Sequence, residues 1–410
     1  MAFVHADSCE YLKSELDLFN VPPTQTSVET GTFVEYHLIT NIRDGSPLEF
    51  DVQGTGSDYI DLANCLLYVK AKVTQANDAD LAANTQVAPV SLFLHSLFSQ
   101  VEVSLNGTPI ASPMNTYPYR AYLESLLSYG ADAKSTHLTS ALYYKDTAGK
   151  MDGITLDGNQ MNQGFKKRHD FIEGSRSVDM IGRIHSDIFF QQRYLINEVN
   201  LKVKLIRSRD VFCLMGNNDY KSVIENAILY VRKVKLSPPV FLAQMKALES
   251  GTAKYPIRRV ACKTVTIPRG YFDISQEKLF SGQLPSRIVI GLVRNDAFSG
   301  IRTRNPLNFQ NFDLKEIGVY SDGQQQHGFK PLTVDFENNL YIRAFNTLFS
   351  GTGKLFQDER DDLNRSEYAN GYALYAFNLT SDQSDDEHFD LVRHGSIRLQ
   401  LKFGTPTLRL

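Results

Sequence analysis

The chain has 410 residues and a mass of 46.2 kDa, too long for one ordinary core, so two units are expected. With 42% hydrophobic and 22% charged residues it is not a disordered chain, a collagen-like chain or a coiled-coil rod. A formal charge of -3 and a pI near 6.3 leave no global basic excess for holding nucleic acid through its phosphates, although a local patch is compatible with them.

Trp is absent, while 25 Phe and 20 Tyr accompany many Val, Ile and Thr. Such side chains pack well on a pleated surface, so the chain is expected to be mostly β. Short apolar-polar alternations recur between turn signals, the pattern of a sandwich or barrel and not of a doubly wound sheet. Cys9, Cys65, Cys213 and Cys262 lie far apart without a CxxC pairing, which suggests neither a zinc site nor a disulfide framework and fits a reducing compartment. The N-terminus shows no secretory pattern, and no apolar run reaches the ~18 residues of a membrane span.

In chain order, residues 1–28 read as an arm, with a short helical piece over Glu10 to Phe19 stopped by Pro22-Pro23. Strands follow at GTFVEYHLIT, PLEFDVQG, NCLLYVKAKV and LFLHSLFSQVEVSLNG, and Asn106-Gly107 reads as a tight hairpin turn. In LLYVKAKV, Leu67, Val69, Ala71 and Val73 face one way and Tyr68, Lys70 and Lys72 the other. The three-four spacing of Tyr119, Tyr122, Leu123, Leu126 and Leu127 predicts a helix from Tyr117 that Gly130 caps. The polar stretch from Thr147 to Gly164 reads as a protruding loop. Strands resume at VDMIGRIH, VNLKVKLIRS and NAILYVRKVKLS, and SPPVFLAQMKALESGTAK reads as a connector with a boundary near residue 245. The second half repeats the order: strands at YPIRRVACKTVTIP, SRIVIGLVR and LKEIGVYSDG, a helix in FENNLYIRAFNTLFSG, and strands at YALYAFNLT and GSIRLQLKF. No residue-level repeat accompanies that parallel.

Candidate chemistry is sparse. Gly351 to Lys354, GTGK, lacks the first glycine and the final Ser or Thr of a phosphate loop, those positions being Leu348 and Leu355, so it reads as a turn closing a helix. His185-Ser186-Asp187 has no further ligand at metal spacing, His169 standing beyond a turn, and reads as a polar turn. The acidic run Ser381 to His388 lacks the calcium-loop spacing and reads as a solvated hairpin tip. Lys166-Lys167-Arg168 and Arg302-Thr303-Arg304 read as surface loops, and the sequons at Asn106, Asn364 and Asn378 carry little information without a secretory signal. A β-sandwich glycosidase would need two carboxylates facing each other about 5 to 10 Å apart across a cleft; Glu102, Glu124 and Asp187 qualify as residue types only. No catalytic, metal or cofactor site is assigned.

Several segments together resemble the major capsid proteins of double jelly-roll viruses, most closely the Polinton and adintovirus-like group, copies of which also sit integrated in animal genomes. They are GTFVEYHLIT with PLEFDVQGTGSDYIDLANCLLYVKAKV, VSLFLHSLFSQVEVSLNGTPI, NTYPYRAYLESLLSYG, LYYKDTAGKMD, VDMIGRIHSDIFFQQRYLINEVNLKVKLIRS, AKYPIRRV and LFSGQLPSRIVIGLV. None is diagnostic alone; their order over residues 21 to 403 carries the resemblance. It implies an all-β fold of two tandem jelly-roll sandwiches with a few short helices in the loops, arranged as an arm (1–28), a first jelly roll (29–245) and a second (246–410). It further implies a structural subunit without catalysis or cofactor that forms a homotrimeric, pseudo-hexagonal capsomer and tiles an icosahedral shell. The implied partners are other copies, neighbouring capsomers and penton or minor capsid proteins, with no specific nucleic acid and no membrane span. The implied location is the virion capsid, after synthesis in the host cytoplasm or nucleus, and the loop at 147–164 would join an outer tower. In relatives one more strand follows the counterpart of GSIRLQLKF, whereas here GTPTLRL follows; the sequence leaves open whether that strand is missing, through a truncated or decaying integrated gene or a shortened chain, or is paired differently, with Gly404 to Leu410 standing in. A minor or penton capsid protein, or a receptor- or carbohydrate-binding sandwich, are the rival readings; a single jelly roll would leave half the chain unexplained.

Overall fold

The computed structural model describes residues 7–407 except 10, 41, 43–44, 55, 111–112, 322–323, 326–330, 358–360 and 382–387. The alternation in LLYVKAKV sits inside β3 (Asp58–Gln75), where Leu67, Val69, Ala71 and Val73 are wholly buried. β3 lies between β10 (Tyr220–Leu236) and β7 (Val178–Gly182), and β1 (Val28–His37) flanks β10. A second antiparallel sheet runs β2 (Leu48–Val52), β8 (Leu201–Arg207), β5 (Phe98–Leu105), β6 (Thr108–Pro109). Phe50, Val103, Val203 and Leu205 on this sheet share one apolar core with the β3 face, as two stacked sheets require. At the β5–β6 turn Asn106 and Gly107 both take positive φ, 47° and 77°, which the two-residue hairpin demands. A short ribbon, β4 (Val87–Pro89) with β9 (Leu214–Gly216), completes this half.

The connectivity then recurs. β11 (Asp273–Gln283) pairs with β17 (His394–Phe403), β17 with β13 (Leu314–Ser321), and β13 with β14 (Gln324–Gln325) and β15 (Leu332–Thr333). β12 (Arg287–Gly291) pairs with β16 (Leu374–Asn378). In each half the opening strand lies beside the closing strand, the closing strand beside a long internal one, and the second strand beside the penultimate main strand (β8 or β16). That is jelly-roll connectivity, present twice.

The helices are α1 (Phe93–Ser96), α2 (Tyr117–Ser128), α3 (Ala131–Ser135), α4 (Gln163–Ile172), α5 (Asp210–Cys213), α6 (Pro238–Leu248), α7 (Asn295–Ser299), α8 (Ile342–Thr352) and α9 (Arg365–Ala369). α8 packs on β16 because Gly351 lets the backbones approach: a Cβ there would lie 2.8 Å from the Ala376 Cβ. Gly353, at φ 76°, then closes α8, so GTGK is a helix-ending turn, as its sequence suggests. α6 buries none of its residues.

Several expectations are corrected. Over Glu10 to Phe19 only a 3-10 turn forms among the described residues, at Ser14–Leu16, because no neighbouring element covers an apolar face there. Leu92 takes a left-handed conformation and opens the buried turn α1, so the strand expected from Leu92 starts only at Phe98. Gly130 does not cap α2: Tyr129 leaves the helix extended and Gly130, at φ -77°, opens α3. The stretch at 147–164 does not protrude as a whole; Asp157 to Gln160 are exposed, but Met151 and Asn162 are buried. The cause is Asn162, whose side chain accepts from the Thr147 N–H (2.9 Å) and donates to Asp146 (2.8 Å), folding the loop onto the body. YPIRRVACKTVTIP forms no strand: first-half side chains take its backbone groups, Asp187 accepting from the Val260 N–H and Thr116 donating to the Cys262 carbonyl. β17 is paired on both sides, by β11 and β13, and Thr407 is tied to Pro268, Gly270 and Tyr271.

Candidate functional site

Two buried polar clusters and one large cleft concentrate the charged side chains. The first cluster grows from α4, where Arg168 points into the junction of the two halves, fully buried. Its guanidinium donates to the Pro89 carbonyl (2.7 Å), the Tyr144 carbonyl (2.5 Å) and the Asp146 carboxylate (2.6 Å). Asp146 also accepts from Asn162 (2.8 Å) and, from the second half, Asn305 (2.9 Å), while the Tyr372 hydroxyl donates to the Asp146 carbonyl (2.7 Å). Arg304 pairs with Asp152 at 3.1 Å and Arg302 with Asp219 at 3.0 Å. The two basic triplets are therefore not simple surface loops: Arg168 is buried, and these arginines meet carboxylates across the fold. The mutual engagement of Arg168, Asp146, Asn162 and Asn305 fixes the geometry of this junction.

The second cluster joins α2 to the turn after β7. Arg120 donates to Glu124 (2.9 Å) and to Asp187 (2.5 Å), and Glu124 meets His185 Nδ1 at 2.7 Å. His95 Nδ1 contacts the Tyr117 hydroxyl at 2.9 Å, and its ring lies 4.7 Å from that of His185. Burial, and then the neighbouring His185, hold the His95 imidazole well below its ordinary range. Burial would raise the Glu124 carboxyl, but the His185 hydrogen bond and the Arg120 charge outweigh it and hold it below the usual range. His185 and Asp187 thus serve a buried tie, and His169 is elsewhere, against the Val87 carbonyl at 2.9 Å. Among the described residues, no group of three or more His, Cys, Asp or Glu side chains is arranged to hold a metal ion. Glu124 and Asp187 share one guanidinium, and Glu102 stands apart on β5 beside Gln100 and Lys204, so the three carboxylates are not brought together.

The cleft opens between α2, the segment at 257–268, β11, β12 and residues 388–393, and has a volume of about 1460 Å³. Val260, Val265, Tyr271, Phe389, Leu391 and Val392 line it and are exposed. Arg258, Arg259, Lys263, Arg287 and Arg393 stand among them, against the carboxylates of Asp273 and Asp390. Most of the acidic run, residues 382–387, lies outside the described residues. At the other end of the chain, the arm exposes Tyr11, Leu12, Leu16, Leu18, Phe19 and Val21. The sequence pattern announced neither the cleft nor the clusters; the helix-capping Asn162 ahead of QGF was the available local signal.

No protein-family model matches the chain. An uncharacterized protein of Caenorhabditis elegans is 24% identical over 402 residues, covering 94% of this chain and 93% of its own. Among solved structures, the Sputnik virophage, determined by cryo-EM, aligns with a TM-score of 0.58 at 9% identity, covering 98% of this chain and 87% of that chain. The fold is the double jelly roll. The Faustovirus major capsid protein shares it, with a TM-score of 0.55 at 9% identity over 94% of this chain and 89% of that one. So does the PBCV-1 virus capsid, with a TM-score of 0.54 at 11% identity over 94% and 87%. In double jelly-roll terms, the first cluster holds the two rolls together, and the cleft is lined by the second roll together with α2 of the first.

Proposed function

We propose that the chain is a structural major capsid subunit that trimerises into a pseudo-hexagonal capsomer and tiles an icosahedral shell. The observation that carries this reading is the recurrence of one jelly-roll connectivity within a single chain. Three such chains about a threefold axis present six similar sandwiches, which pack as a hexagon although the symmetry is only threefold. A minor or penton protein built on one roll does not account for the second set of strands. The likeness to the Sputnik, Faustovirus and PBCV-1 capsids supports the reading independently.

On this reading residues 1–28 are an arm, 29–245 the first roll and 246–410 the second, with the unburied α6 serving the connection. The partners are further copies, neighbouring capsomers and penton or minor capsid proteins, and the place of action is the virion after synthesis in the host cytoplasm or nucleus. The reading further assigns the chain to the Polinton and adintovirus-like group on the order of its sequence segments, and a relative in a nematode accords with a copy carried in an animal genome. Among the described residues no helix is long and apolar enough to cross a membrane. Negative-stain imaging of the purified protein tests the function: particles with a hexagonal outline are expected, and a field of single two-lobed molecules at all concentrations would contradict it.

A further inference from the structure

The cleft between α2 and the second roll and the N-terminal arm are complementary. The arm's six large apolar side chains stand uncovered, Phe19 at 95% exposure, as do six on the cleft. Exposed apolar surface concentrated at two places marks interaction sites. Their charges are opposite: residues 7–21 carry Asp7, Glu10, Glu15 and Asp17 against Lys13 alone, whereas Arg258, Arg259 and Lys263 project along one wall of the cleft. Small-molecule pockets usually measure about 300 to 1,000 Å³, so a cleft of about 1460 Å³ suits a peptide segment better. Val28, where β1 begins, lies seventeen residue steps beyond Tyr11, and an extended chain covers ~3.3 Å per residue, a reach of roughly 55 Å.

We propose that the arm of one copy, residues 11–21, lies in this cleft of a neighbouring copy, its apolar side chains against Val260, Val265 and Tyr271 and its carboxylates facing Arg259 and Lys263. This rests on the self-assembly reading above. The contact is heterologous: each chain gives an arm and receives one, which closes a ring without a symmetric patch. Part of the apolar surface exposed in the single chain is then buried on assembly.

The test assembles an equal mixture of unlabelled and nitrogen-15 chains, treats the full-length protein with a carbodiimide, and sequences the joined peptides by mass spectrometry, with light-scattering mass measured on the same sample. Glu15 or Asp17 should couple to Lys263, with mixed labels in roughly half the pairs, as random cyclic assembly requires. Phe19→Asp, at an exposed site that spares the fold, should lower that yield about tenfold. A trimer with same-label pairs only places the arm in its own cleft, and a trimer without such pairs places it elsewhere; either overturns the inference and leaves the capsid reading standing. A monomer without mixed pairs overturns both.

Discussion

Arg168 and Asp146 form an ion pair, 2.6 Å apart, from which solvent is wholly excluded on both sides. Removing one partner of such a pair leaves an uncompensated buried charge and costs about 3 to 5 kcal/mol. Arg168→Met and Asp146→Asn are each expected to fall in that range in urea unfolding. The double variant should cost clearly less than the sum of the singles, because it removes both charges together. Additive losses would show that the two residues act separately.

The His95 environment gives stability a pH dependence with a definite sign. Its folded-state value is lowered from 6.5, so the unfolded chain binds the proton more readily. The contribution is full above about pH 6.5 and is lost as pH falls below it. Glu124, lowered from 4.5, acts in a separate window: its contribution is present above about 4.5 and is lost as pH falls below that. Denaturation midpoints should therefore decline between pH 7 and 5, and His95→Gln, which cannot titrate, should flatten that decline. An unchanged slope in the variant would remove His95 as its source.

Much of the fold was legible where local pattern and tertiary demand agreed. Leu67, Val69, Ala71 and Val73 alternate because one face of β3 is core, and Asn106-Gly107 marks a turn because only such residues accept its backbone readily. The stretch from Tyr255 to Ile267 has the β-branched composition of a strand, yet Asp187 and Thr116, remote in sequence, hold its backbone instead. Arg168 was hidden for the same reason: its carboxylate lies twenty-two residues upstream, and nothing in KKR distinguishes the buried member. The cleft is made by surfaces that meet only after folding, so no spacing could announce it.

The cysteines should separate sharply by reactivity. Burial pushes the Cys65 and Cys213 thiols up to about 12, while Cys9 stands exposed on the arm. Iodoacetamide at pH 8 should alkylate Cys9 first and the two buried thiols only on unfolding, since the thiolate is the reacting form. Mass spectrometry of timed digests reads this directly, and early modification of Cys213 would contradict its complete burial at the end of α5.

Gly351 sets the seat of α8 on β16. A side chain there meets Ala376 at under 3 Å, against its Cβ and backbone, so Gly351→Val must push the helix away. The expected loss is about 1 to 3 kcal/mol, read from thermal unfolding, with Gly351→Ala milder. An unaltered melting temperature for the valine variant would show that α8 does not pack there.

The central claim is that this double jelly roll works by assembling with itself, and its mass in solution tests that most directly. Each chain weighs 46.2 kDa, and cyclic closure by three gives roughly three times that by light scattering across a range of concentrations. A stable trimer is the result expected. A mass that stays at one chain at every concentration would contradict the account.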